Sequence, residues 1–203
     1  KKKIYTNKQI KQNSDERGNA KKIEKTQDNL NKKSKVTIGK LNSPSIGSLG
    51  VETKLNTKYG LNLWNKFTAK EAIINLNYLP NVVSSNILQS YLVDLYASVS
   101  LPPQGNTKDV IKFLEIKLLK ISTSGYANYL NDIVKQLPNN SRWERWKKWY
   151  VEYNLMKKND KESCKVVKEF LKTELSNFWK KAKIICLITE QKFDEAKFVH
   201  DVM

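Results

Sequence analysis

The chain is poor in the residues that carry out chemistry. Its 203 residues hold one histidine, His200, and two cysteines, Cys164 and Cys186. A single histidine with no Cys-x-x-Cys pair excludes the familiar zinc-ligand spacings. There is no phosphate-binding glycine loop and no Gly-x-Ser-x-Gly turn. The carboxylates are scattered rather than paired for acid–base work, and His200 has no nucleophile or carboxylate at a telling spacing, so it reads as a surface or packing residue. A helical muramidase-type hydrolase would need a carboxylate positioned in a cleft, and no glutamate stands in such a motif. The sequence therefore reads as non-enzymatic, with no metal and no cofactor. No apolar run approaches the roughly 20 residues needed to cross a bilayer, and no signal peptide is present. The chain opens Lys1-Lys2-Lys3 without a methionine and ends at Met203 within a helical pattern, which reads as a processed protein or a fragment.

Aromatics are missing from one part of the chain. Tyr5 is the only one in residues 1–40, and all five tryptophans come later. Five of the seven glycines (Gly18, Gly39, Gly47, Gly50 and Gly60) fall within residues 1–60. Leu41 to Gly50 reads as irregular linker, and residues 10–33 lack an apolar face. Residues 1–60 are expected to be a basic, largely disordered tail and linker, with residues 61–203 as one helical domain.

Charge follows the same division. The formal net charge is +17. Residues 1–40 contribute +9, 41–140 contribute +3, 141–183 contribute +7 and 184–203 contribute −2. Such an excess attracts nucleic acid or an anionic surface. A codon composition rich in A and T also yields lysine, asparagine and isoleucine, all abundant here. Residues 1–40 hold a single arginine, Arg17, whereas arginine is the residue of specific phosphate recognition.

From residue 61 onward apolar residues recur at helical spacing. Trp64, Phe67, Ile73, Ile74, Leu76 and Leu79 predict a helix closed by Pro80. Ile87, Leu88, Tyr91, Leu92, Leu95 and Val99 predict a second with one continuous apolar stripe, capped by Ser84 or Ser85 and ended by Pro102-Pro103. Thr107, Ser141 and Ser176 are candidate caps for later helices. About eight helices with connections of roughly two to six residues result, which makes neighbours antiparallel. No alternating strand pattern appears, so the class is all-α.

Two constellations stand out. Arg142-Trp143-Glu144-Arg145-Trp146-Lys147-Lys148-Trp149-Tyr150 places aromatics and cations together on one helix. Trp143, Arg145, Trp146, Lys148 and Trp149 form a candidate interaction surface for single-stranded nucleic acid or a membrane interface; the competing reading is a central helix packed by both neighbours. Cys164 and Cys186 lie equally far from a turn centred near Leu175, which would set them opposite each other in a helical hairpin. They read as a disulfide closing a loop of about 21 residues in an oxidising compartment, or as two buried reduced thiols.

The last three helix pairs share a pattern: an aromatic first helix, a short polar break, then a small residue early in the second helix. Gly125-Tyr126-Ala127, Asp160 to Ser163, and Gln191 to Ala196 fall at a spacing of about 31–35 residues. With Lys192-Phe193-Asp194-Glu195-Ala196 and the closing Leu137-Pro138, residues 107–203 resemble a degenerate tetratricopeptide repeat. Ser45-Ile46-Gly47-Ser48-Leu49, Gly60-Leu61-Asn62-Leu63-Trp64, Leu101-Pro102-Pro103 and Ser176-Asn177-Phe178-Trp179, with the two cysteines, also resemble a group of exported alphaproteobacterial helical-repeat proteins. These resemblances imply antiparallel hairpins stacked as a short α-solenoid, export to the periplasm or envelope rather than a cytoplasmic location, and a scaffold that binds other proteins in a larger assembly. The alternative is a nucleic-acid-binding module using the basic tail and the tryptophan helix.

Overall fold

A computed structural model describes residues 45–173 and 176–202. Among them nine α-helices follow one another: α1 (Lys54–Tyr59), α2 (Ala69–Tyr78), α3 (Asn86–Ala97), α4 (Thr107–Thr123), α5 (Ala127–Gln136), α6 (Glu144–Met156), α7 (Asp160–Phe170), α8 (Asn177–Thr189) and α9 (Phe193–Asp201). Short 3-10 turns occupy Ile46–Ser48 and Ser141–Trp143. Two isolated bridges, Val51 to Ser98 and Thr68 to Gln104, are the only β pairing among the described residues. The all-helical expectation holds.

Helix α4 is the hub of the first half. Its face of Val110, Phe113, Leu114, Leu118 and Ile121 is buried, and α2, α3, α5 and the Ile46–Ser48 turn all pack on it. Asn106, one residue before the expected cap, accepts from the Asp109 amide at 2.9 Å. Helix α2 is shorter than expected. Thr68 and Glu71 form a reciprocal capping box, which starts the helix at Ala69 and leaves Trp64 and Phe67 in the preceding loop.

Helix α3 departs from its expected stripe. Leu92, Val93, Tyr96 and Ala97 are buried, while Ile87, Leu88 and Tyr91 are 74%, 50% and 57% exposed. Gln89 faces inward. Its amide bonds the Val83 N–H at 2.8 Å and the Asn81 carbonyl at 3.2 Å, tying down the α2–α3 loop.

The division expected at residue 60 falls inside the packed body. Residues 45–60 are not linker. Val51 exchanges backbone bonds with Ala97 (2.8 Å) and Val99 (2.9 Å). The Thr53 and Ser98 hydroxyls meet at 2.5 Å, and Asn56 donates to the Val99 carbonyl at 2.7 Å. Gly47 and Gly50 are used for close approach rather than for freedom. A Cβ at Gly47 would strike Val110, and one at Gly50 would strike the Ser98–Val99 backbone. The expectations for residues 1–44, and the turn centre at Leu175, lie outside the described residues.

Lys117 locks this N-terminal strap. It is 0% exposed, and its Nζ donates to the carbonyls of Ser98 (3.0 Å) and Leu49 (3.2 Å). Burial pulls its pKa from 10.5 down to about 7. The neutral amine has two N–H donors for these two carbonyls, whereas the ammonium carries a third. Because the folded pKa lies below the unfolded one, the unfolded chain holds a proton that the folded chain sheds between about pH 7 and 10.5. Stability from this group therefore rises with pH across that window, and its burial penalty is fully present below it. Urea unfolding at several pH values checks this: the slope attributable to Lys117 approaches about 1.4 kcal/mol per pH unit and disappears in Lys117→Met.

From α4 onward each helix packs on its chain neighbours, α4 on α5 through to α8 on α9. Three of the connections have one conformation. Ser124-Gly125-Tyr126, Lys157-Lys158-Asn159 and Glu190-Gln191-Lys192 each place a near-helical residue first, a positive φ second (80°, 59° and 60°) and a residue with ψ near 60° third. In the second and third turns the closing N–H reaches back over a full turn, Asn159 to the Asn154 carbonyl and Lys192 to the Leu187 carbonyl, both at 2.8 Å. This is the left-handed helix stop that satisfies the last carbonyls. The interval from Gly125 to Lys158 equals that from Lys158 to Gln191, so the positive-φ residues mark an even repeat step, one helix pair long. Phe113, Trp146 and Trp179 then occupy one position of each pair, and all three are buried. Leu130, Ser163 and Ala196 occupy another, so the counterpart of the small Ser163 and Ala196 is Leu130, not Ala127.

Candidate interaction surface

The first helices of the three pairs, α4, α6 and α8, present matching positions. Lys112, Arg145 and Phe178 are separated by the same repeat step, as are Glu115, Lys148 and Lys181, and Ile116, Trp149 and Ala182. Between α4 and α6 lies a cleft of about 390 Å³. Lys112, Glu115, Ile116 and Leu119 line it from α4, and Arg142, Arg145 and Trp146 line the other wall. Three cations thus stand around an apolar floor with one carboxylate. The Arg145 guanidinium sits 5.6 Å from the centre of the Trp146 ring, close enough for an attraction between cation and π face.

The structure divides the five residues proposed from sequence. Trp143 is 2% exposed and belongs to the core, so its place in a surface is corrected. Helix α6 is covered by both α5 and α7 and buries Tyr150 and Val151 as well; it is a central helix. Trp146 is buried and lines the cleft beside Arg145. Trp149 is half-buried and stacks on Tyr153 at 5.1 Å. Arg145 is exposed and Lys148 half-exposed. The sequence reading missed Lys112, Ile116, Leu119 and Arg142. Once the repeat step is known, Lys112 falls in register with Arg145, and Ile116 with Trp149.

A short polar chain joins α6 to α8. Glu144 accepts from Lys148 at 2.8 Å and from the Trp179 indole N–H at 3.0 Å. The Lys148 bond, helped by that indole, holds the Glu144 carboxyl below its usual range against some desolvation. Lys148 also stands 5.4 Å from the Phe178 ring. The Trp179–Glu144 bond thus links α6 to α8 directly.

The sulfurs of Cys164 on α7 and Cys186 on α8 lie 2.01 Å apart with their Cα atoms 5.6 Å apart. Both are buried, so the clasp ties the second pair to the third from inside. Ser176, an expected cap, stands at the N-terminus of α8 without a side-chain cap bond. Ser141 opens a 3-10 turn instead of capping α6. His200 is exposed and bonds the neighbouring Asp201 at 3.3 Å. Among the described residues no three His, Cys, Asp or Glu side chains cluster to hold a metal, and no helix is long and apolar enough to cross a membrane.

No protein-family model, no curated protein and no solved structure matches the chain.

Proposed function

We propose that this chain is an exported, non-enzymatic helical-repeat scaffold that binds a protein partner across the face formed by α4, α6 and α8. The observation that carries the reading is the shared turn at Gly125, Lys158 and Gln191, repeated at an even step along the chain. A repeated turn of fixed geometry closes each of the three helix pairs in the same way. Stacked pairs of this kind make a tetratricopeptide-like solenoid, in which each unit contacts its neighbours and the first helices form an extended surface. The α4–α6 cleft supports this, because two helices that are not consecutive share one cleft. The cysteine pair supports export, since disulfides persist in oxidising compartments.

The three cations at the cleft also suit nucleic acid, and salt separates the two readings. Phosphate contacts release counterions, so nucleic-acid binding is strong at about 50 mM salt and falls steeply above it. The scaffold reading is tested by a photo-cross-linking amino acid placed at Arg145 on the first-helix face, compared with one at the exposed Lys165 on α7. Protein adducts form from the first position and not the second.

A further inference from the structure

A second cleft, separate from the proposed partner face, lies where the α4–α5 turn meets the end of α6. Its volume is about 490 Å³. The rings of Tyr126 and Tyr129 enter it from the α5 side, and Tyr153 and Lys157 from the α6 side. The aromatics come in two near-parallel stacks. Tyr126 and Tyr129 lie 6.2 Å apart at 18°, and Tyr153 lies 5.1 Å from Trp149 at 14°. Tyr126 is 37% exposed, while Tyr153 has Trp149 stacked on it and the Lys157 ammonium 5.8 Å from its ring centre. The Tyr153 hydroxyl and the Asn128 side-chain oxygen meet at 2.6 Å. The hydroxyl donates, which directs the Asn128 NH₂ group away from Tyr153. Gly125, at φ +80°, adds no side chain to the wall.

The lining decides the ligand class by elimination. Lys157 is its single cation, too little charge for a polyanion such as nucleic acid. No carboxylate lines it and the Lys157 ammonium already stands over the Tyr153 ring, which repels a second cation. The phenol hydroxyls, an amide and an ammonium make it too polar for a hydrocarbon chain. What remains is a neutral, flat ligand dense in hydroxyl groups. The C–H face of a pyranose ring packs on an aromatic face, and its hydroxyls and any acetamido carbonyl exchange hydrogen bonds with the amide, phenol and ammonium groups.

We propose that this tyrosine cleft binds an oligosaccharide, with a pyranose ring against the exposed Tyr126 ring and its polar groups on Asn128 and Lys157. Trp149, stacked on Tyr153, reports occupancy by fluorescence and by its indole N–H resonance. The full chain is titrated with triacetylchitotriose and with cellotriose. The expected result is saturable change at the Trp149 indole below about 10 mM sugar. Tyr126→Ala, at an exposed position, and Asn128→Ala each weaken binding by about tenfold, with unfolding midpoints unchanged. Lys165→Ala, at an exposed position on α7, leaves binding intact. Absence of a response to both sugars at that concentration overturns the assignment. So does binding that survives Tyr126→Ala and Asn128→Ala, or saturation by a proline-rich peptide in place of either sugar.

Discussion

Trp179→Ala lowers the midpoint of thermal unfolding by about 10 °C, the largest single-residue effect expected in the chain. Trp179 is fully buried. It stacks on Phe170 at 4.3 Å, meets the edge of Phe178 at 4.9 Å and donates its indole N–H to Glu144. Alanine removes all three contacts and leaves a void between α7 and α8. Large-to-small aromatic replacements in a core cost about 3–5 kcal/mol, and at this size each kcal/mol moves the midpoint by about 2–4 °C. Trp179→Phe keeps most of the ring area and loses only the indole bond, so its shift is a fraction of the alanine one. Because stacked pairs depend on their neighbours, the alanine variant exposes the α8–α9 amides to hydrogen exchange before those of α4. A midpoint within about 2 °C of the parent would show that the α7–α8 junction does not hold the fold as described.

Reduction of the Cys164–Cys186 pair is the second large effect. The residues are 22 apart in sequence. Opening a loop of that length is worth about 3 kcal/mol through the entropy returned to the unfolded chain. Reductant lowers the unfolding midpoint by about 6–12 °C, and Cys164→Ser with Cys186→Ser lowers it to a similar extent without reductant. Intact mass gains two hydrogens on reduction. Both sulfurs are buried, so reduction is slow in the folded protein and faster in mild denaturant. Unchanged mass and midpoint would mean that the pair is two reduced thiols packed as small apolar groups.

Much of the architecture was legible from pattern alone. Pro80 and Pro138 stand two residues past the ends of α2 and α5, since proline cannot continue a helix, whereas α3 stops at Ala97, well before the Pro102-Pro103 expected to end it. Val110, Phe113, Leu114, Leu118 and Ile121 of α4 and Leu130, Ile133 and Val134 of α5 recur at helical spacing and are buried. What was hidden had physical causes. Glycine is the usual residue at a left-handed helix stop, and only the first of the three repeated turns has one, at Gly125. Lys158 and Gln191 adopt the same positive φ without a sequence signal, which blurred the even step. Gly47 and Gly50 look like linker punctuation, yet they sit where a Cβ would clash. Thr68-x-x-Glu71 is a capping signature that could have been read, and it would have moved the start of α2 to its observed place.

The tryptophan run of α6 shows the limit of a one-dimensional reading. Spacing places Trp143, Trp146 and Trp149 on one side of a helix, but it does not say how many neighbours cover that helix. With α5 and α7 on two sides, Trp143 goes to the core, Trp146 to its edge, and Trp149 into the stack with Tyr153. The cations between them, Arg145 and Lys148, are what reaches solvent. The candidate surface is therefore more basic and less aromatic than the sequence suggested, and it extends onto α4 through Lys112.

Helix pairs repeated at an even step would make one continuous first-helix face, and the proposed scaffold role requires that this face receive a protein. Site-specific photo-cross-linking in the native cell tests the requirement most directly, with the probe at Lys112, Arg145 or Lys181 on the three first helices and at Lys165 as the contrast. The same protein adduct is expected from all three first-helix positions and none from Lys165. Adducts from Lys165 alone, nucleic acid in place of protein, or no adduct from any of the three would contradict it.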